Sequence, residues 1–269
     1  MSLPVAAPRR PRRVGRVNWT GLATLYWREL RRVLREWLET VAGPVFAAGL
    51  YLTVFAFALG GARNSAEGAA VLSFILPGLA MFTILERAAE STVFSIVFDK
   101  LEGIISDVLM PPLTASELVA AYALAATSAA LITGVPVVAF AVLVFDMGVA
   151  APALALAFAA GGALMLALTG ILVGLWAAKW DHAAAFFAFL LIPLTFLSGL
   201  FAPVEALPDV LESVVRLNPI FYVIDGFRAA TLGIASAPPM AGLAVVAAAA
   251  LALWVACDRL VASGWRLKP

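Results

Sequence analysis

The chain has 269 residues, 63% hydrophobic and 13% charged, with a net charge of +1 at pH 7. A soluble domain is about 45–50% apolar and about 25% charged, so this composition excludes a water-soluble globule and makes the bilayer the solvent that takes the excess apolar surface. One cysteine, Cys257, and one histidine, His182, exclude an internal disulfide, a cysteine-based zinc or iron–sulfur site, and most metal and acid/base chemistry.

Residues 1–16 carry Arg9, Arg10, Arg12, Arg13 and Arg16 and read as a basic flexible tail. Over 17–39 the apolar residues Trp19, Leu22, Tyr26, Leu30, Val33 and Trp37 recur at steps of three or four, while Arg28, Arg31, Arg32, Arg35 and Glu39 take other positions. That spacing predicts an amphipathic helix lying on a membrane surface, its Trp and Tyr at headgroup depth and its arginines toward anionic lipid or a cytoplasmic protein, before the chain turns at Gly43 and Pro44. A plain anchor and a lever packed against a cytoplasmic partner both fit. No cleavage site of a signal peptide separates this segment from the first span.

The membrane domain, 41–262, contains six runs free of Asp, Glu, Lys and Arg. They hold 23 residues between Glu39 and Arg63, 18 between Glu67 and Glu86, 28 between Glu117 and Asp146, 32 between Asp146 and Lys179, 23 between Asp181 and Glu205, and 29 between Arg228 and Asp258. A helix needs about 20 residues to cross about 30 Å of hydrocarbon, so the expectation is an all-α integral membrane protein of six spans. A barrel would show segments of about 10 residues of alternating polarity instead. Positive charges gather before the first span, at Lys100, at Lys179 and after the sixth, against only Arg63, Arg216 and Arg228 on the other side, which places both termini in the cytoplasm.

Glu86, Arg87 and Glu90 follow the second run. Glu86 and Glu90 are four apart on one helix face and Arg87 is three before Glu90. Charges at membrane depth usually face a protein interior or a water-filled cavity, so the cluster is either the wall of a substrate path or an inner-interface group with Arg87 reaching headgroups. Pro77, Pro136, Pro152 and Pro193 are expected to kink their helices, as moving and static bundles both allow.

Between the second and third spans, Asp99, Glu102 and Asp107 interleave with Leu101, Ile104, Ile105, Val108 and Leu109, which predicts a short cytoplasmic helix stopped by Pro111 and Pro112. Thr114 and Glu117 form a capping box for the third span. The segment is either a solvated connector or a docking element. On the outer side, Pro208 opens one short helix, with Glu212 four before Arg216. Asn218 and Pro219 open a second that ends at Gly233 and groups Phe221, Ile224, Phe227 and Thr231 on one face. Together they predict a lid or re-entrant hairpin.

No Walker A loop occurs, since Lys100, Lys179 and Lys268 follow Asp, Ala and Leu, and no H-E-x-x-H or G-x-S-x-G motif is present. His182 beside Asp181 sits at a turn, where a solvated or capping role is expected. No enzyme activity and no nucleic-acid partner is expected of this chain.

The segments Ile192–Phe201 (IPLTFLSGLF), Leu217–Arg228 (LNPIFYVIDGFR) and Leu232–Gly233, with Asp107–Leu118 (DVLMPPLTASEL), together resemble the membrane subunits of ABC exporters of the ABC-2 type, the group that includes drug-export and nodulation lipo-oligosaccharide permeases. Asp107 stands where Glu is usual in that family, and Pro111 is an extra proline. The resemblance runs from the N-terminal helix to the last span.

It implies a type V exporter-like fold, a homodimer of permeases with two copies of an ATP-binding cassette ATPase that binds the ATP and Mg, membrane lipids as surroundings, and a bacterial inner-membrane location. It makes 17–39 the connecting helix and assigns ATPase coupling to Asp99, Leu101, Glu102, Ile105, Asp107 and Leu109. It makes Asn218, Pro219, Phe221, Asp225 and Arg228 an external gate, and leaves Glu86, Arg87 and Glu90 as a candidate substrate path. The expected cargo of such an exporter is amphipathic: a drug, a lipid or a lipid-linked saccharide. Two other functions fit the residues, an ion-gradient transporter using Glu86 and Glu90 for protons, and a non-transporting anchor for an ATPase.

Overall fold

The computed structural model describes residues 17–58, 66–201 and 203–267, and among them every regular element is helical. Five segments are long and apolar enough to cross a membrane: Val71–Leu101, Ala115–Phe145, Pro152–Trp176, Trp180–Leu200 and Pro239–Ala262. The protein is an all-α membrane protein.

Helix α1 (Trp19–Arg35) starts where the Asn18 side chain accepts from Gly21 N at 3.0 Å. Its apolar stripe does not rest on lipid as the sequence predicts. Leu22, Leu25, Tyr26, Leu30 and Val33 pack into the protein, with the Tyr26 hydroxyl 3.0 Å from Ser128 Oγ, while Trp19, Trp27 and Trp37 stay exposed. A π-helical turn, Leu38–Ala42, makes the elbow, where Thr40 Oγ1 donates to Val33 O at 2.6 Å and Glu36 O at 2.8 Å. Helix α2 (Gly43–Ala58) then begins the first span, whose remainder, like the basic tail of 1–16, Arg63 and Lys268, lies outside the described residues.

Helix α3 (Ala66–Leu101) has 36 residues and does not stop near Glu86. At 1.5 Å per residue it is about 54 Å long, against about 30 Å of hydrocarbon, so it carries its charges well past the apolar layer. Gly103, at φ +73°, breaks the path, and the short helix α4 is only Ile105–Leu109. Asp99 and Leu101 therefore belong to the end of α3, a correction to the predicted loop helix. Helix α5 (Ala115–Phe145) opens on the predicted capping box: Glu117 N donates to Thr114 Oγ1 at 3.3 Å and Thr114 N to Glu117 Oε2 at 2.7 Å.

Helix α6 (Pro152–Trp176) follows, and Pro152 is its first residue, so it opens a helix rather than kinking one. The next span is broken into α7 (Trp180–Phe186), a π segment (Phe187–Leu191), α8 (Ile192–Thr195) and a second π segment (Phe196–Leu200). The backbone leaves helical geometry at Ser198 and at Gly199, whose φ of +78° favours glycine. Then come α9 (Asp209–Leu217) and α10 (Pro219–Leu232), and α11 (Pro239–Ala262) closes the domain.

The centre of the core is where α3, α6 and α10 meet. Lipid supplies no hydrophobic drive between helices, so close packing of small residues has to hold them. A Cβ on Gly170 would lie 2.1 Å from Thr92 Oγ1 and 2.5 Å from Ala89 O, and the Thr92 hydroxyl donates across to Ala167 O at 3.0 Å. The sequence predicts a lid or a re-entrant hairpin here, and ten of the 14 residues of α10 are buried, Phe221, Ile224 and Phe227 among them.

Candidate functional site

Three groups of side chains are arranged along the molecule. Where α3 ends, α1, α3 and α5 converge on a charged cluster of which the sequence reading singled out only Asp99. Asp99 is 2% exposed and Glu29 5%. Asp99 accepts from Arg28 Nη2 and, at 3.0 Å, from the Tyr122 hydroxyl, while Arg32 Nη1 lies 3.8 Å away. Glu29 accepts from Arg28 Nε at 2.8 Å, Arg32 Nη2 at 2.7 Å and Ser95 Oγ. Two carboxylates thus meet two guanidinium groups, a hydroxyl and a phenol, and each buried charge has a partner, the condition under which buried ion pairs persist. Burial works to lower the Arg28 pKa, but Glu29, Tyr122 and Asp99 outweigh it and hold the pKa above its ordinary value.

The other end of α1 is tied as well, since Glu117 Oε1 accepts from Asn18 N at 2.5 Å. Lys100 reaches the C-terminal carbonyls of α6, donating to Gly174, Leu175 and Ala177 at 3.2, 2.9 and 2.8 Å, where a cation complements the helix dipole. Helix α4 is set into this base by Ile105 and Val108, which are buried, with Leu109 half-buried. What stands free is Leu101, Glu102, Asp107 and Met110, the last 77% exposed. Of the six residues assigned to coupling, Asp99 and Ile105 therefore serve the interior and Leu101, Glu102 and Asp107 the surface. Beside that surface a groove of about 720 Å³ runs between the start of α1 and the loop after α4, lined by Val17, Trp19, Thr20, Asp107, Pro111 and Pro112.

Higher on α3, Glu86 and Arg87 are half-buried and Glu90 is exposed, with Arg87 Nη1 3.4 Å from Glu90 Oε2. Arg87 and Glu90 face the elbow after α1, across a cleft shared with Glu36, Glu39 and Thr40.

At the outer end, Asn218 caps α10, accepting from Ile220 N at 3.1 Å, and its amide also donates to Leu194 O at 3.2 Å and Ser198 Oγ at 2.7 Å. Pro219 is the first helical residue and Gly233 ends the helix in the left-handed region, as the sequence predicts. Arg228 is 3% exposed. It donates to Gly199 O at 2.7 Å and Phe74 O at 3.3 Å, and its guanidinium lies 3.6 Å from the Phe74 ring centroid. Asp225 does not pair with it, accepting instead from Ser236 N at 3.0 Å and Ala237 N at 2.9 Å. Phe221 packs under Val204 and Val215. Asn218 and Arg228 thus clasp the break at Ser198 and Gly199, binding the fifth crossing segment to α10 and α3.

The sequence reading missed Arg28, Glu29, Arg32, Ser95, Lys100 and Tyr122. One signal was present: Glu29 falls in the stripe of Tyr26, Leu30 and Val33, where a charge needs a buried partner. Its partners Arg28 and Arg32 are local, but the third, Ser95, is 66 residues further along the chain, and no spacing rule connects the two.

Residues 20–232 match the family model described as ABC-2 type transporter. The chain is 28% identical over 250 residues to the inner membrane transport permease YadH of Escherichia coli K12, covering 93% of this chain and 98% of that protein. It is 27% identical over 226 residues to nodulation protein J of Rhizobium leguminosarum bv. viciae, covering 81% and 84% respectively. With this match spanning most of the helical domain just described, the chain belongs to the ABC-2 type transporter family.

Proposed function

We propose that this chain is the membrane subunit of a bacterial inner-membrane ABC exporter, working as a homodimer with two copies of a separate ATP-binding cassette ATPase. Membership of the ABC-2 type transporter family supports this reading, as do the transport-permease name of a relative that is matched almost end to end and the absence of a Walker loop from the sequence. Nucleotide chemistry then resides in the partner, and this chain converts a push at its inner surface into rearrangement of its spans.

The observation that carries the reading is the construction of α4. Its inward side chains, Ile105 and Val108, are locked in the core while Leu101, Glu102, Asp107 and Met110 project outward. A force applied to that surface cannot be absorbed locally. It passes through Asp99 to α1 and α5, and through Lys100 to the end of α6. At the far end, Arg228 and Asn218 join α3 and the broken fifth segment, so tilting α3 pulls on the break. Cargo of amphipathic character suits a domain that sets charged clefts, as at Glu36, Glu39 and Glu90, beside apolar crossing helices.

Charge reversal at the exposed surface tests the assignment. Asp107→Lys combined with Glu102→Lys is expected to lower recovery of the ATPase with the tagged permease about tenfold, as juxtaposed like charges do at interfaces, with normal membrane insertion. Full recovery of ATPase with the double variant would contradict it.

A further inference from the structure

The cleft beside Arg87 has a composition that neither coupling nor folding accounts for. It measures about 300 Å³ and lies between the elbow after α1 and the middle of α3. Three carboxylates line it, from Glu36, Glu39 and Glu90. Among the described residues Glu36 and Glu39 enter no ion pair, and Glu90 is engaged only by Arg87. The other cation of the wall, Arg32, is committed to Glu29 and Asp99. The cleft is therefore negative on balance.

A second feature is independent of the carboxylates. The Arg87 side chain, only 10% exposed, lines the same wall, and its buried Nε donor has no acceptor. A buried donor is ordinarily satisfied, so the wall lacks an oxygen. A third feature adjoins both: a cleft of about 390 Å³ between α3 and α7 shares Glu90 and Phe94 with the first and is lined by Trp180 and Phe187. Phe94 and Trp180 lie 5.2 Å apart, ring centre to ring centre. A negative compartment thus opens beside an aromatic one, with Glu90 and Phe94 at the junction.

We propose that this double cleft receives the positively charged head of an amphipathic molecule. The carboxylates hold an ammonium or amidinium group, Arg87 takes an oxygen next to that charge, and the rings of Phe94, Trp180 and Phe187 take the apolar body, where cation–π attraction adds to burial. The inference rests on the permease reading and names the class of cargo. An anionic amphiphile is refused, because its charge would meet three carboxylates.

The test uses the full-length permease with its ATPase in phosphatidylglycerol nanodiscs, and compares binding of rhodamine 6G, a cationic ester, with fluorescein ethyl ester, an anion of similar size. Rhodamine 6G is expected to bind more tightly. Glu36→Gln, Glu39→Gln and Glu90→Gln are each expected to weaken it about threefold to tenfold, and the triple variant to abolish the preference while still retaining the ATPase. Adding phosphatidylethanolamine identifies the source of the cation: weakened dye binding means that the lipid's own ammonium fills the cleft, and undiminished binding means that a free amphiphile does. Equal affinity for the two dyes, or an intact preference in the triple variant, overturns the proposal. A permease that prefers rhodamine 6G but never recovers an ATPase keeps the cleft and removes the functional reading instead.

Discussion

A carboxylate that serves two guanidinium groups and a phenol from two neighbouring helices has no small replacement, and Asp99 is in that position. Asp99→Asn keeps the volume and removes the charge, leaving Arg28 and Arg32 to share Glu29. Breaking a fully buried pair costs several kcal/mol, but the Arg28 side chain is 39% exposed and water compensates part of the loss. The expected destabilisation is about 1–3 kcal/mol, read as a lower midpoint of thermal unfolding; an unchanged midpoint would remove Asp99 from the inner frame.

Glu205 is a surface counterpart. The Ser236 hydroxyl, above all, holds its carboxyl below the ordinary 4.5, helped by its own backbone N–H and by Arg216. A folded-state pKa below the unfolded one means that this contribution is complete at neutral pH and is lost as pH falls below 4.5 through the folded value. Ser236→Ala is expected to move the Glu205 titration back up toward 4.5 in a carbon-detected NMR titration, and no movement would refute the contact.

Among the elements, the contact of α3 with α6 tolerates least. The α6 backbone approaches until Gly170 touches Thr92 and Ala89, one a side chain and the other a carbonyl that cannot move aside. Gly170→Ala is expected to destabilise by about 1–3 kcal/mol through overpacking, with lower yield of folded protein in detergent; wild-type stability would show that the helices can separate without cost. Signals confined to a few neighbouring residues were legible at this scale. The capping box of Thr114 and Glu117, and the Asn218, Pro219 and Gly233 boundaries of α10, were found where the sequence puts them, because a cap is made by groups within one helical turn. The end of α3 was not legible. The acidic residues from Asp99 onward read as a separate loop helix, whereas Asp99 continues α3 because α1 and α5 neutralise it.

At the scale of the whole molecule, orientation is the property that most needs a direct test. The arginine-rich start and the sparse positive charge of the Glu205 to Ser236 region predict that this region lies outside. Ser236 is exposed at the turn before α11, so a cysteine introduced by Ser236→Cys is expected to react with an impermeant maleimide from outside intact cells, and reaction only after lysis would invert the topology. External labelling would put the frame of Asp99, Lys100 and α4 against the cytoplasm and the Arg228 clasp against the exterior, with α3 running the distance between them.

What the sequence determined by itself is whatever depends on composition and on short range. Surplus apolar residues set the solvent and the helical class, charge-free runs marked the spans, local caps marked helix starts, and the signature segments marked the family. What only the tertiary structure decided is which charges are buried and with whom. It turned Arg28 and Arg32 from lipid toward Asp99, gave the buried Asp225 and Arg228 of α10 separate partners, and brought Glu36 and Glu39 across from Arg87. The physical reason is that the cost of a charge in an apolar setting depends on its nearest partner in space, and those partners stand 11 to 154 residues away in the chain, separations that no pattern of spacing encodes.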